Sequence, residues 1–321
     1  EAQDYYWRAR YHELKITEAG LLQAIGFYEL AIKADPNYAL AYAHMASAYR
    51  ILGINGFARS KEVIAKGESL ARKALEIDGS LGEGYLVLAW LDFFNGDQAS
   101  AETNYKRAIE LNPKDFQAHI GYAGFLMTMK RHEEAVGEAR RARELSPMTP
   151  IVLALESQIL LAAGRQEDAV LQAKNALEFD PNLWVGHLHL GAAYHRQKRY
   201  AEAIVELQKA KELAPGSFRP LSYLGWLYAE MGDKERVNAI LKELERQAKK
   251  GHVPRHTIAW FYNWLGQNRK ALDLLESSLE EREIFLRNNL TDKSWDNLHS
   301  EPRFRDILRR LNLDTSRAPS P

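Results

Sequence analysis

Three columns of identical residues recur along this chain at one fixed spacing. Alanine fills two of the columns and proline fills the third. The columns are Ala74, Ala108, Ala142, Ala176 and Ala210; Ala101, Ala135, Ala169 and Ala203; and Pro113, Pro147, Pro181 and Pro215. Neighbours in each column are 34 positions apart, and such periods are typical of repeat proteins. The 321 residues are therefore predicted to form an array of similar units rather than one compact domain.

The repeat that begins near residue 183 shows the physical role of each position. Gly191 and Ala203 are small, as required where two helices cross with axes about 8–10 Å apart. Leu190 and Tyr194 recur at helical spacing and are predicted to fill the core between the helices. Pro215 cannot continue a helix and so ends the second one. Each repeat is thus predicted to be a pair of packed helices.

This period, with these residue types, resembles the tetratricopeptide family. The resemblance implies an all-α fold, a right-handed α-solenoid of about eight helix pairs with a C-terminal capping helix. We place the array at residues 1–284, with repeats near 1–37, 38–80, 81–114, 115–148, 149–182, 183–216, 217–251 and 252–284. The second repeat is nine residues longer than the period, and we expect an extended loop or extra helical turns near residues 55–63.

A glycine is predicted to end the first helix of most repeats, because glycine fits the left-handed residue that follows a helix. These glycines are Gly53, Gly96, Gly164, Gly232 and Gly266. Lys130 and Lys198 take the same place in the fourth and sixth repeats.

The segment that follows the last repeat, residues 285–313, is predicted to be a cap. Within it, Phe304, Ile307 and Leu308 fall on one face of a helix that Pro302 begins. A solenoid needs its last exposed face covered, and this helix is suited to that role. We expect residues 314–321 to be disordered.

Composition narrows the classes of function. Lys+Arg and Asp+Glu are 43 each, and this balance argues against a general nucleic-acid binder. The absence of cysteine removes disulfides, thiolate metal sites and cysteine nucleophiles. His187, His189 and His195 share one helix, but residues i and i+2 point to different faces, so the three do not form a ready metal site. With no enzyme motif in the sequence, we expect no enzyme activity, cofactor or metal.

No apolar run reaches the ~20 residues that a membrane helix needs, and we expect a cytoplasmic protein without membrane insertion. Because the chain begins at Glu1 without Met, we expect it to be a fragment of a longer protein. Its opening, from Tyr5 to Ile25, and its close, from Glu301 to Leu311, resemble the tetratricopeptide region that follows winged-helix DNA-binding, Ser/Thr kinase or adenylate-cyclase modules in bacterial signalling proteins. This resemblance implies a sensor or interaction region of a regulator.

In the tetratricopeptide family the first helix of each repeat lines a concave groove, and this resemblance selects the candidate partner-binding residues. They are Arg50, Trp90, Phe94, His189, Arg196, Arg219, Tyr223, Trp226, Trp260 and Trp264. Aromatic side chains dominate because Trp and Tyr supply much contact area for little entropy, although some of them are expected to pack between helices instead. The arginines are candidates for pairing with acidic groups of a partner. The basic clamp by which chaperone-binding relatives hold an acidic C-terminus is absent, so we expect no such ligand.

We therefore expect a protein–protein interaction scaffold that holds an extended peptide or a helix in its groove. Two alternatives stay open: self-association as a homodimer that controls an attached effector, and sensing of a small ligand. Catalysis is the least favoured reading.

Overall fold

The computed structural model describes residues 1–249 and 253–313, and all regular structure in these ranges is helical. The expected all-α fold class, built from paired helices, is confirmed. The paired helices are α1 (Ala2–Glu13), α2 (Glu18–Ala34), α3 (Ala39–Ile54), α4 (Ser60–Ile77), α5 (Gly82–Asn95), α6 (Gln98–Leu111), α7 (Phe116–Thr128), α8 (His132–Leu145), α9 (Pro150–Ala162), α10 (Gln166–Phe179), α11 (Trp184–Arg196), α12 (Tyr200–Leu213), α13 (Phe218–Glu230), α14 (Lys234–Ala248), α15 (Arg255–Trp264) and α16 (Asn268–Glu280). They are followed by α17 (Leu286–Asn289), a 3-10 helix (Lys293–Leu298) and α18 (Pro302–Arg310).

The helices pack into two compact bodies. The larger body contains Glu1–Leu52 and Val63–Pro215. The smaller body contains Gly53–Glu62 and the described residues from Gly216 onward. The segment predicted to be disordered, residues 314–321, lies outside the described residues, as does the predicted boundary between the seventh and eighth repeats at residues 251 and 252.

The small residues of the larger body allow close helix crossings, as the sequence predicts. A Cβ on Gly191 of α11 would lie 2.7 Å from Leu207 Cγ and 3.2 Å from the Ala203 carbonyl oxygen, both on α12. Ala203 and Leu207 are fully buried. Gly191 and Ala203 therefore set how closely α11 and α12 approach each other.

The left-handed residues at the helix ends agree with the sequence prediction except in the second repeat. Lys130 and Lys198 have φ values of 60° and 59°, and Gly96 has 84°. Gly53 was expected to end its helix, but it lies inside α3, and Gly56, with φ of 75°, is the left-handed residue instead. The prediction for Gly53 is therefore wrong, because α3 continues past it to Ile54.

Much of the extra length of the second repeat is helical. Helices α3 and α4 have 16 and 18 residues, whereas α5 and α6 of the next repeat have 14 each. Residues 55–59 connect α3 and α4.

A cap covers the last helix pair of the smaller body. Phe304, Ile307 and Leu308 of α18 are 0–1% exposed and belong to one apolar cluster with Leu272 and Leu275 of α16. The amphipathic face predicted for α18 is therefore the buried one, and it packs against α16.

The larger body also has a contact between parts of the chain that are far apart in sequence. The indole Nε1 of Trp184, at the start of α11, donates to the carbonyl oxygen of Ile16 at 2.9 Å. Trp184 is 1% exposed, and Ile16, between α1 and α2, has an unusual φ of 50°. A β-branched residue adopts a left-handed conformation only at a cost, so the surrounding contacts must hold Ile16 in place.

Candidate functional site

Four of the candidate residues are aromatic side chains on α13 and α15, the first helices of two successive pairs in the smaller body. They are Tyr223, Trp226, Trp260 and Trp264, and all four are partly exposed. The ring centroids of Tyr223 and Trp226 are 4.9 Å apart, and those of Trp226 and Trp260 are 6.0 Å apart. We call these four side chains the aromatic face.

The aromatic face also holds a hydrogen-bond donor. The indole Nε1 of Trp226 has no acceptor among the described residues. A Trp N–H away from solvent usually finds a partner. This donor is buried, so it stays unsatisfied within the described part of the chain and is not part of the surface that the aromatic face exposes.

Arg219 lies one helical turn before Tyr223 on α13. Its Nη1 donates to Asn55 Oδ1 at 3.0 Å, and Ser217 Oγ donates to the Asn55 backbone oxygen at the same distance. Burial lowers the pKa of Arg219, while the nearby Tyr223 opposes this effect. Arg219 therefore joins residues 53–62 to the start of α13 within the smaller body.

The candidate aromatic residues of the larger body are more deeply packed. Trp90 is 5% exposed, and its ring centroid is 4.4 Å from that of Phe94, which is partly buried. His189 is 1% exposed. Trp90 and His189 therefore present little surface to a partner in this structure. For Trp90, this agrees with the expectation that some of the aromatic candidates pack between helices.

The two candidate arginines of the larger body differ in their surroundings. Arg196, at the end of α11, is exposed. Arg50, on α3, is partly exposed, and burial lowers the pKa of its guanidinium. Within the described residues, its Nη2 donates one hydrogen bond, to Ser47 Oγ at 3.4 Å. Of the two, only Arg50 is a partly desolvated cation.

A buried ionic cluster centred on Glu13 was not found from the sequence. Glu13 is 2% exposed, and its Oε2 accepts from Arg10 Nη1 at 2.5 Å and from the Tyr28 hydroxyl at 2.6 Å. His44 Nδ1 lies 2.8 Å from Arg10 Nη1. Burial by itself would raise the pKa of Glu13, but His44 and Arg10 outweigh it and lower the pKa to about 2. The i,i+3 spacing of Arg10 and Glu13 was the available signal.

His187 has a structural role. Its Nδ1 lies 2.6 Å from Glu206 Oε2, and its Nε2 lies 3.0 Å from the Pro181 carbonyl oxygen. Both partners are acceptors, so both ring nitrogens must donate, as only the protonated ring can. Burial lowers the pKa of His187, but the bonds to Glu206 and Pro181 outweigh it and the net pKa is raised. His119, two periods earlier, makes the same kind of contact with Glu138 at 2.6 Å.

A serine, a histidine and a carboxylate meet at the start of α15, but they do not form a nucleophilic site. Ser278 Oγ is 3.4 Å from His256 Nδ1 and donates to Glu283 Oε2 at 2.6 Å. Ser278 is fully buried, so no substrate reaches it. Glu283 instead accepts the backbone N–H groups of Arg255 and His256 at 2.9 and 3.3 Å, and thereby caps α15.

The described residues also bear on metal sites and membrane spans. Within residues 1–249 and 253–313, no group of three or more His, Cys, Asp or Glu side chains is arranged to hold a metal ion. None of the helices in these ranges has the length and apolar character needed to span a membrane.

Comparison with known proteins agrees with the repeat pattern. Residues 86–150 and 184–217 match two family models, both described as tetratricopeptide repeat. The crystal structure of the APC/C hetero-tetramer Cut9-Hcn1 contains a similar chain, with a TM-score of 0.61 and 15% identity. That similarity covers 91% of this chain and 52% of the other, and at this level of identity it concerns the fold alone.

Two curated relatives share shorter stretches. Hsp70-Hsp90 organizing protein 3 of Arabidopsis thaliana is 28% identical over 125 residues, which are 39% of this chain. Protein O-mannosyl-transferase Tmtc1 of Drosophila melanogaster is 35% identical over 78 residues, 24% of this chain. The chain spans 19% and 9% of the lengths of these two relatives.

Proposed function

Because this chain carries tetratricopeptide repeats, we propose that it is a protein-interaction module that binds a peptide or helix of a partner protein through the aromatic face. One observation carries the proposal: three aromatic rings of the smaller body, those of Tyr223, Trp226 and Trp260, lie in contact and partly exposed. Trp and Tyr are the residue types that most often dominate binding energy at protein interfaces. Stacked helix pairs are formed before binding, so little ordering is required of the module.

The setting that we propose is the sensor or interaction region of a larger bacterial regulator in the cytoplasm. The residues at the two ends of the sequence, which resemble those of such regulators, support this setting. The name of one relative, Hsp70-Hsp90 organizing protein 3, describes a protein that acts on other proteins, which supports a protein partner.

The test is a comparison of partner affinities. A double variant, Trp226→Ala with Trp260→Ala, is expected to weaken binding at least tenfold, because truncation of a central aromatic anchor costs about 2 kcal/mol or more. Calorimetry with the isolated partner measures the affinity, and circular dichroism checks that helicity is unchanged. Exposed Phe179, on α10 of the larger body, supplies a matched aromatic-to-alanine control. Unchanged affinity in the folded double variant would remove the aromatic face from the proposal.

A different observation favours self-association as a second function. Trp7, Tyr11 and Leu14 are 61%, 65% and 45% exposed. Trp7 and Tyr11 of α1 and Leu14, the residue that follows it, have the i, i+4, i+7 spacing of one side of a helix. Sedimentation velocity over micromolar concentrations tests this function. A mass that rises with concentration, and does not rise after Trp7→Ser with Tyr11→Ser, would support a homodimer, whereas a constant monomer mass would exclude it in that range.

A further inference from the structure

A continuous stripe of exposed side chains runs along α1 and the two residues that follow it. The buried side chains of α1 lie on the opposite side of the helix: Tyr6, Ala9 and Glu13. Leu14 has helical φ and ψ angles, and the Lys15 N–H donates to the His12 carbonyl oxygen at 3.2 Å, so the helical path continues past the end of α1. The members of the stripe have the i, i+3, i+4, i+7, i+10, i+11 spacing of one helix face: Asp4, Trp7, Arg8, Tyr11, Leu14 and Lys15.

The middle of the stripe is apolar and open to solvent. Trp7 and Tyr11 lie one helical turn apart, and both rings expose more than half of their surface. The ring of Trp7 rests edge-on against the ring of buried Tyr6, with centroids 5.2 Å apart. The amino group of Lys15 lies 4.5 Å from the centroid of the Tyr11 ring. Contiguous apolar surface of this kind marks an interaction site, and Trp and Tyr are favoured anchors there.

The two ends of the stripe carry opposite charges. Asp4 lies in the first turn of α1 and Lys15 lies just beyond its last turn, as the helix dipole favours. A second stripe laid antiparallel on the first places Lys15 of one copy beside Asp4 of the other, at both ends. A parallel arrangement instead brings Asp4 to Asp4 and Lys15 to Lys15, which repel each other. The stripe is therefore complementary to a reversed copy of itself.

One two-fold axis aligns the aromatic pairs and the charged pairs together. Trp7 and Tyr11 are placed symmetrically about the level of Ala9. Asp4 and Lys15 are symmetric about a level half a residue further on, which is less than about 1 Å along the helix. Trp7 of each copy therefore meets Tyr11 of the other when Asp4 meets Lys15. Arg8 lies near the axis, and its charge is already compensated by Asp4 of the same chain at 3.0 Å.

We propose that the chain forms a two-fold symmetric homodimer in which α1 packs antiparallel against α1 of a second copy. This inference rests on the second function proposed above, self-association, and specifies its surface and orientation. A second copy fits the stripe because one symmetric contact satisfies both charged ends. A single helix face buries less than the ~1,200 Å² of a stable interface, so the dimer is weak and its population depends on concentration.

The test is sedimentation velocity of the full chain over micromolar concentrations, with charge reversals at the two ends of the stripe. Asp4→Lys and Lys15→Glu each bring like charges together at both ends of an antiparallel dimer. The double variant, Asp4→Lys with Lys15→Glu, again places opposite charges at both ends. In a parallel dimer the double variant keeps like charges together. Lys209→Glu, at an exposed lysine of α12, is the matched control, and circular dichroism checks that helicity is unchanged.

The expected result is a wild-type mass that rises from monomer to dimer and no further, because a two-fold contact closes on itself. Each single reversal is expected to raise the dissociation constant about threefold to tenfold, since two exposed ion pairs are replaced by repulsion at once. The double variant is expected to dimerise more tightly than either single variant. Lys209→Glu is expected to dimerise as the wild type does.

The outcomes separate this inference from the functions on which it builds. A constant monomer mass in the wild type would remove self-association and this dimer with it. A dimer that neither reversal weakens, or a double variant no tighter than the single variants, would overturn the antiparallel arrangement and leave self-association standing. Species larger than a dimer would contradict the two-fold contact. Binding of a partner at Trp226 and Trp260 is measured separately and does not depend on any of these results.

Discussion

Gly191→Ala is expected to destabilise the larger body although alanine is the better helix former. The added Cβ would lie 2.7 Å from Leu207 Cγ and 3.2 Å from the Ala203 carbonyl oxygen, and both residues are fully buried. The Leu207 side chain cannot move outward without disturbing its own packing, so α11 and α12 must separate. Overpacking of this kind costs about 1–3 kcal/mol, which exceeds the ~1 kcal/mol that alanine gains over glycine within a helix.

Gly137→Ala is the matched control, because Gly137 is exposed on α8 and a Cβ there meets no atom within 4 Å. This variant is expected to gain about 0.5–1 kcal/mol. Urea denaturation followed by circular dichroism at 222 nm compares the two midpoints with that of the wild type. If Gly191→Ala were as stable as Gly137→Ala, the reasoning that small residues set the helix crossing would be refuted.

Three further predictions concern single contacts. Trp184→Phe leaves the Ile16 carbonyl without its donor. It is expected to lower the free energy of unfolding, measured by urea denaturation, by about 1–3 kcal/mol. Glu283 has a pKa lowered from 4.5 to about 2. The stability that its carboxylate contributes is therefore complete above pH 4.5 and is lost as the pH falls toward 2. Over that range, the free energy of unfolding of the wild type should fall by about 3 kcal/mol more than that of Glu283→Gln. His187 has a raised pKa. The stability that it contributes to the fold is therefore complete below pH 6.5 and declines as the pH rises through its pKa in the folded protein. A His187→Gln variant should therefore show a flatter stability profile than the wild type across neutral to alkaline pH, and a parallel profile would contradict the ion pair with Glu206.

The helix pairs and their packing were predictable from the sequence because they depend on local rules. Proline and the left-handed residue fix where each helix ends, and Lys130 and Lys198 obey this rule as well as the glycines do. The rule failed at Gly53, where extra residues allow α3 to continue and Gly56 takes the left-handed conformation. The position of a glycine does not show how far a helix extends in a repeat such as the second, where both α3 and α4 are longer than the helices of the next repeat.

The surroundings of the candidate residues were less predictable, because they depend on contacts between distant repeats. The 34-residue register places Trp226 beside Trp260. It does not show that Trp90 and His189 are almost fully buried. The bond from Trp184 to Ile16 joins residues 168 positions apart, and nothing in either local sequence indicates it.

The most direct test of the central claim is hydrogen–deuterium exchange of the chain with and without its partner protein. If the aromatic face holds the partner, backbone protection should increase in α13 and α15, which carry Trp226 and Trp260, while α8 and α10 of the larger body exchange as before. Binding that leaves the exchange of α13 and α15 unchanged would contradict the account.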